Sequence, residues 1–248
     1  MSEKGNQAVK TVSFMMLITL FGKILGMVRE QLLAANYGTD MQAAAFLLAS
    51  RIPRTFFDVI FASAISASFI PVFVEYLQKK GRQEAFSLAN RFITMISTVT
   101  LLMMLLGMAF AKPLTLLIAP GYDVETVTLC VGLLRMLFPT MLFTAVAFSF
   151  VGILQSLEEF NVPAALSVVS NGVLILYYIF FNEKFGILGL TVAFLIGWAM
   201  QAVIQIPSLW KKGYHYHPDF HFKDEGLRKI GKLMLPVMVS TWIQPINF

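Results

Sequence analysis

The chain has 248 residues, of which 57% are apolar and 13% charged, with a formal net charge of +5. Soluble domains carry about 25% charged residues, so this composition excludes an ordinary water-soluble enzyme. The basic excess does not form a nucleic-acid surface, because its lysines and arginines fall mostly in segments between apolar runs. The single cysteine, Cys130, allows no disulfide within the chain.

In chain order, the sequence predicts an all-α polytopic membrane protein with six complete transmembrane helices and the start of a seventh. The first span covers about 10–36 and the second about 41–76. The third covers about 88–111, the fourth 126–155, the fifth 160–182 and the sixth 185–209. A seventh begins near Gly231 and runs to Phe248. Residues 92–111, 136–157, 160–182 and 185–210 contain no Asp, Glu, Lys or Arg. Each of these runs reaches the roughly 20 residues that a helix needs to cross the hydrocarbon core. The start, with Lys4 and Lys10 ahead of an apolar stretch, has the look of a signal sequence. The stretch leads on to Lys23 and Arg29 without a small-residue cleavage site, so it reads as a retained first helix.

Charge distribution predicts sidedness. With the N-terminus in the cytoplasm, the inside segments hold Lys4, Lys10, Lys79, Lys80, Arg82, Arg91, Lys211, Lys212, Lys223, Arg228, Lys229 and Lys232, whereas the outside segments hold only Lys112 and Lys184. Twelve against two is a strong bias, and one missed span would scramble it. The segment WKKGYHYHPDFHFKDEGLRK at 210–229 is basic and aromatic, and reads as an interfacial linker lying along cytoplasmic headgroups. His215, His217 and His221, with Asp219 among them, invite a metal reading, but no second cluster with ligand spacing supports it.

Charges inside the first two spans single those spans out. The first carries Lys23, Arg29 and Glu30; the second carries Arg51, Arg54 and Asp58; the fourth carries Arg135. A charge at the bilayer centre costs at least about 2.5–3.5 kcal/mol, so such residues face a protein interior or a wet cavity, or snorkel from a helix end. Lys23 and Glu30 are seven apart and share a helix face, and Arg51, Arg54 and Asp58 form one stripe. Two helices thus present basic residues with acidic neighbours, a lining suited to an anion, phosphate above all. Asp58 can equally serve only to neutralise Arg54, and Lys23 and Arg135 only as ion-pair partners. Gly22 and Gly26 permit close helix contact, and Pro53 frees a backbone carbonyl beside the arginines. Asn161, Asn171, Gln201 and Gln205 are expected in interhelical hydrogen bonds. The remaining apolar spans (the third, fifth and sixth) read as lipid-facing scaffold. No nucleophile–base pair, phosphate loop or zinc motif is present, so no enzyme activity and no cofactor are expected.

These residues carry a family resemblance. GKILGMVREQLLAANYG at 22–38, SRIPRTFF at 50–57 and ASFIPVFVEY at 67–76 resemble the opening of the MviN/MurJ family. APGY at 119–122, GILQSLEEFNVPA at 152–164, QIPSLWKKG at 205–213 and LMLPVMVSTWIQPIN at 233–247 follow in the same order. The family comprises lipid II flippases of the multidrug/oligosaccharidyl-lipid/polysaccharide exporter superfamily. The resemblance implies two lobes around a cavity open alternately to each side, of which 1–230 would be the N-terminal lobe with its cytoplasmic linker and 231–248 the start of the second. It implies a fragment of a protein about twice as long. It also implies a bacterial plasma-membrane protein whose partners are lipid II, membrane lipid, the missing C-terminal lobe and cell-wall synthesis proteins, and which the membrane potential or a coupling cation drives.

The family's basic cavity residues in the first span fall on Lys23 and Arg29, and its acidic one on Glu30. The second span departs from the pattern: Ala44 stands where many members have an aspartate, Phe57 and Asp58 where they have two basic residues, and Ala62 where they have a glutamate. The expected site is therefore Lys23, Arg29, Arg51 and Arg54 on a diphosphate, supported by Glu30 and Asp58. Those departures also admit a flippase for another polyprenyl-diphosphate glycan. A cation-coupled drug exporter of the same superfamily and a non-transporting cell-wall scaffold are the further alternatives.

Overall fold

A computed structural model describes residues 3–57 and 65–242. Helices account for all the regular structure of these residues. The first span is one helix, α1 (Glu3–Tyr37), and α2 (Met41–Phe57) begins the second. After a π-helical turn at Ile65–Phe69, α3 (Ile70–Lys79) completes it. Pro71 stands in the first turn of α3, where its missing N–H is tolerated. The third span is α4 (Arg82–Ala109), beginning six residues earlier than the expected 88. Gly81, at φ 87°, makes the sharp entry that a side chain would strain. A short helix, α5 (Ala111–Ile118), follows between the expected third and fourth spans.

The fourth span divides into α6 (Val124–Leu137) and α7 (Thr140–Ser156). Pro139 cannot donate to the backbone ladder, and the break falls there. Asp123 caps α6 by accepting from the backbone N–H groups of Glu125 and Thr126. The fifth span is α8 (Asn161–Ala164) with α9 (Leu166–Phe180), and the sixth is α10 (Asn182–Val203) with α11 (Ile206–Lys211). α12 (Glu225–Trp242) starts six residues before the expected Gly231, because Asp224 accepts from the Leu227 N–H at 3.1 Å and caps it earlier.

Five segments among the described residues are long and apolar enough to cross a membrane: Val12–Tyr37, Arg82–Ala109, Val124–Ser156, Asn161–Phe180 and Asn182–Lys211. The connections sort to two ends of the bundle. At one end Arg82 donates to the Lys212 carbonyl at 2.8 Å, and Lys212 to the Leu157 carbonyl at 3.1 Å. At the other, Tyr37 donates to Asn182 Oδ1 at 2.6 Å, and Asn182 to Asn36 Oδ1 at 2.9 Å. Three segments expected inside, those of Arg82, Leu157 and Lys212, therefore lie together, and so do two expected outside, those of Asn36 and Asn182.

Two apolar cores hold the helices. One joins the π-turn, α3, α4, α7 and α12, with Phe69 stacked on Phe92 at 4.6 Å between ring centroids. The other joins α2, α6, α9 and α10 around Phe46, Leu133, Leu137 and Leu190.

The 210–229 segment differs from the expected headgroup-lying linker, because it folds back on α4. Tyr214 is 1% exposed, and its hydroxyl donates to Asn90 Oδ1 at 2.7 Å. Arg91 pairs with Asp219 at 3.0 Å and with Asp224 at 2.6 Å. The Asp219 N–H donates to Thr94 Oγ1 at 3.0 Å. The His221 backbone N–H and ring, with Arg91, hold the Asp219 carboxyl below the ordinary carboxylate range. These contacts engage Asp219 and Asp224, so the segment docks on protein through contacts that no local periodicity announces.

Candidate functional site

The cavity that concerns function lies between α1, α2, α9 and α10 and has a volume of about 410 Å³. Its position begins with glycine. A side chain at Gly22 would collide with Ser167 of α9, and one at Gly26 would touch Asn171 Nδ2 at 3.5 Å. The two glycines therefore let α1 and α9 approach closely, as their spacing predicts. That closeness lets Asn171, which is buried, donate to the Gly22 carbonyl at 3.2 Å.

Asn171 also accepts from Arg29 Nη1 at 3.2 Å, while Arg29 Nη2 pairs with Glu30 at 3.2 Å. A guanidinium has five N–H donors. Two contacts leave it well short of saturation, and its side chain is 27% exposed against 72% for Glu30. On α2, Arg51 and Arg54 face the same cavity one turn apart, with Ser50 beside them. Both arginines are exposed, and Arg51 has no hydrogen-bond or ion-pair partner among the described residues. Pro53, buried between them, denies Ala49 its usual helical donor.

The remaining wall is apolar. Tyr178 comes from α9, and Leu190, Phe194 and Trp198 come from α10. This corrects the reading of the fifth and sixth spans as lipid-facing scaffold only: absence of charge does not tell a lipid face from an aromatic cavity wall. The signal that could have found it is Phe194 and Trp198 at a spacing of four, one face of one helix.

The expected site residues divide. Arg29, Glu30, Arg51 and Arg54 come together around the cavity. Lys23 does not: it lines a separate hollow on the outer face of α1 with Val12, Met16 and Leu20. It shares a face with Glu30 but sits about 10 Å lower along the axis. Asp58 lies outside the described residues. Arg135 does not line this cavity; it donates to the Met108 carbonyl at 3.2 Å, near the end of α4. Asn171 and Gln205 make the interhelical bonds expected of them, Gln205 donating to the Ala147 carbonyl at 3.0 Å. Asn161 differs, since its side-chain oxygen is buried without a hydrogen-bond partner.

Among the described residues the cavity's charge is thus three arginines against one glutamate. Guanidinium groups converging on one cavity, with donors left over on Arg29 and Arg51 among the described residues, suit a phosphate or carboxylate, which accepts from several at once.

Residues 33–248 match the family described as "Lipid II flippase MurJ". A probable lipid II flippase MurJ from Buchnera aphidicola subsp. Acyrthosiphon pisum (strain APS) is 31% identical over 235 residues, which cover 93% of this chain and 46% of the relative. The chain therefore spans about half the length of the curated relatives it matches. A solved lipid II flippase MurJ in an inward closed conformation superposes with a TM-score of 0.77 at 26% identity, over 94% of this chain and 48% of that one. The Vibrio cholerae MATE transporter VcmN in its bent form also superposes at a TM-score of 0.77, over 97% of this chain and 55% of that one, but at 16% identity it bears on the fold alone.

Proposed function

This chain belongs to the lipid II flippase MurJ family, and from that premise we propose that the protein carries lipid II from the inner to the outer leaflet by alternating access. It is a multi-pass membrane protein of a transporter family. Its work is binding and movement, with no bond made or broken. The observation that carries the reading is the convergence of Arg29, Arg51 and Arg54, from two helices, on one cavity. The diphosphate accepts from guanidinium N–H groups of these arginines. Glu30 and Asn171 hold Arg29 in place, and Glu30 reduces the cost of keeping three cations together. The polyprenyl tail stays in lipid, and a second lobe, implied by the family resemblance, covers the cavity's open side and rocks against the first. The bundle end that gathers Lys79, Lys80, Arg82, Lys211 and Lys212 is the cytoplasmic one. The membrane potential biases the motion by about 2.3 kcal/mol per unit charge per 100 mV.

A cation-coupled drug exporter needs acids deep in its cavity; here the one acid in the lining among the described residues, Glu30, is largely exposed.

The test replaces Arg29, Arg51 and Arg54 singly with Ala in the intact protein and measures rescue of cells depleted of their own flippase. Each loses rescue at normal protein level. Full rescue by all three variants refutes the anion site.

A further inference from the structure

The aromatic wall raises a question that the arginines do not answer. Phe194 and Trp198 stand one turn apart on α10, their ring centroids 5.9 Å apart and their planes at 47°. Phe194 is braced edge-on by Phe46 at 5.8 Å and 84°. Phe46 is buried, whereas Phe194 and Trp198 are half-buried. The two rings are therefore held by packing and still present surface to the cavity. Both also line a narrow cleft that continues the cavity, shared with Ser50 and Arg54 of α2 and with Thr140 and Thr144 of α7. Large apolar rings in a membrane protein normally face lipid or the core. These stand beside a guanidinium and three hydroxyl-bearing side chains, Ser50, Thr140 and Thr144, which donate to the Leu47, Leu137 and Thr140 carbonyls and so offer a ligand acceptor lone pairs.

Sugars match that combination. The C–H groups on one face of a pyranose are weakly positive and meet the negative π-face of an aromatic ring, while its hydroxyl edge needs hydrogen-bond partners. In a diphosphate-linked glycan the first sugar is bonded directly to the diphosphate. A ring platform beside Arg54 is therefore placed for that sugar. We propose that Phe194 and Trp198 form a platform for the sugar attached to the diphosphate, with Trp198 a specificity-determining residue. This rests on the diphosphate reading above. It assigns the aromatic wall to the glycan and not to the polyprenyl tail.

The experiment measures binding of two probes, lipid II and undecaprenyl diphosphate, to the purified intact protein. Trp198→Leu keeps apolar bulk and removes the indole. It weakens lipid II by about two- to tenfold and leaves undecaprenyl diphosphate unchanged, and Trp198→Phe recovers most of the loss. Unchanged lipid II binding in Trp198→Leu, or equal weakening of both probes, overturns the proposal; the second outcome assigns the wall to the tail. Arg51→Ala, run alongside, weakens both probes. If it weakens neither, the diphosphate reading fails, whatever the tryptophan variants show. Phe194→Leu repeats the comparison should Trp198→Leu not fold.

Discussion

Arg91 and two arginines of the cavity, Arg29 and Arg51, answer the same problem, a guanidinium at or inside a membrane bundle, in opposite ways. Arg91 sits between two carboxylates, Asp219 at 3.0 Å and Asp224 at 2.6 Å, and its own side chain is 22% exposed. Its charge is overmatched, and the pairs fasten the 210–224 segment to α4. Arg29 has one amide and one largely exposed glutamate, and Arg51 has no ionic partner among the described residues. A staple spends its donors within the chain, and a binding residue keeps them. The identity of the residue is the same; the partners decide which it is.

Four outcomes test that contrast. The largest concerns Arg51→Ala, which lowers affinity for a diphosphate-bearing lipid about ten- to a hundredfold, the worth of a hydrogen bond to a charged group. Its thermal stability in detergent stays within about 0.5 kcal/mol of wild type, as for a surface change. A large stability loss would make Arg51 structural, like Arg91. Next, Arg91→Ala strands two partly buried carboxylates against each other and destabilises the protein by about 2 kcal/mol. Unfolding curves measure this, and proteolysis within 210–224 should rise with it. Unchanged proteolysis would mean that the ion pairs do not hold the segment.

A smaller effect is expected of Asn171→Ala. Losing the link from α9 to Arg29 and to the Gly22 carbonyl costs about 0.6 kcal/mol of stability, the average for such bonds in membrane proteins. Ligand affinity falls by less than in Arg29→Ala, since the charge remains. The smallest effect is on pH. The Asp219 carboxyl is held below its ordinary value by His221 and Arg91, so its share of stability is present above the unfolded value of about 3.9. That share is lost as pH falls through the lower folded value. Protection of the 210–224 segment from proteolysis should hold from pH 7 to 5 and weaken only below about 4. Asp219→Asn should abolish that acid limb, and an unaltered pH profile would exclude Asp219 as its source.

Much of the fold was legible because the bilayer imposes its own simple rule on sequence. Uncharged runs such as 136–157 and 160–182 have to be helical, since lipid offers no partner for the backbone. The charges of Arg29, Glu30, Arg51 and Arg54 singled out the first two spans, and the structure brings these four together. The sequence misjudged Lys23 for a reason of length: a shared helix face does not mean a shared depth. It missed α5 and the early starts of α4 and α12, which Gly81 and Asp224 fix locally.

What the sequence alone determined is a bundle of membrane helices whose first two spans carry charges that need a purpose. Only the tertiary structure decided which partners those charges have, that Asn171 reaches Arg29 from a span with no charge of its own, and that Phe194 and Trp198 wall the same cavity. The reason is physical. Hydropathy and helical period are properties of one segment, whereas a hydrogen bond or a cavity wall belongs to two segments more than a hundred residues apart in the chain, as Arg29 and Asn171 are.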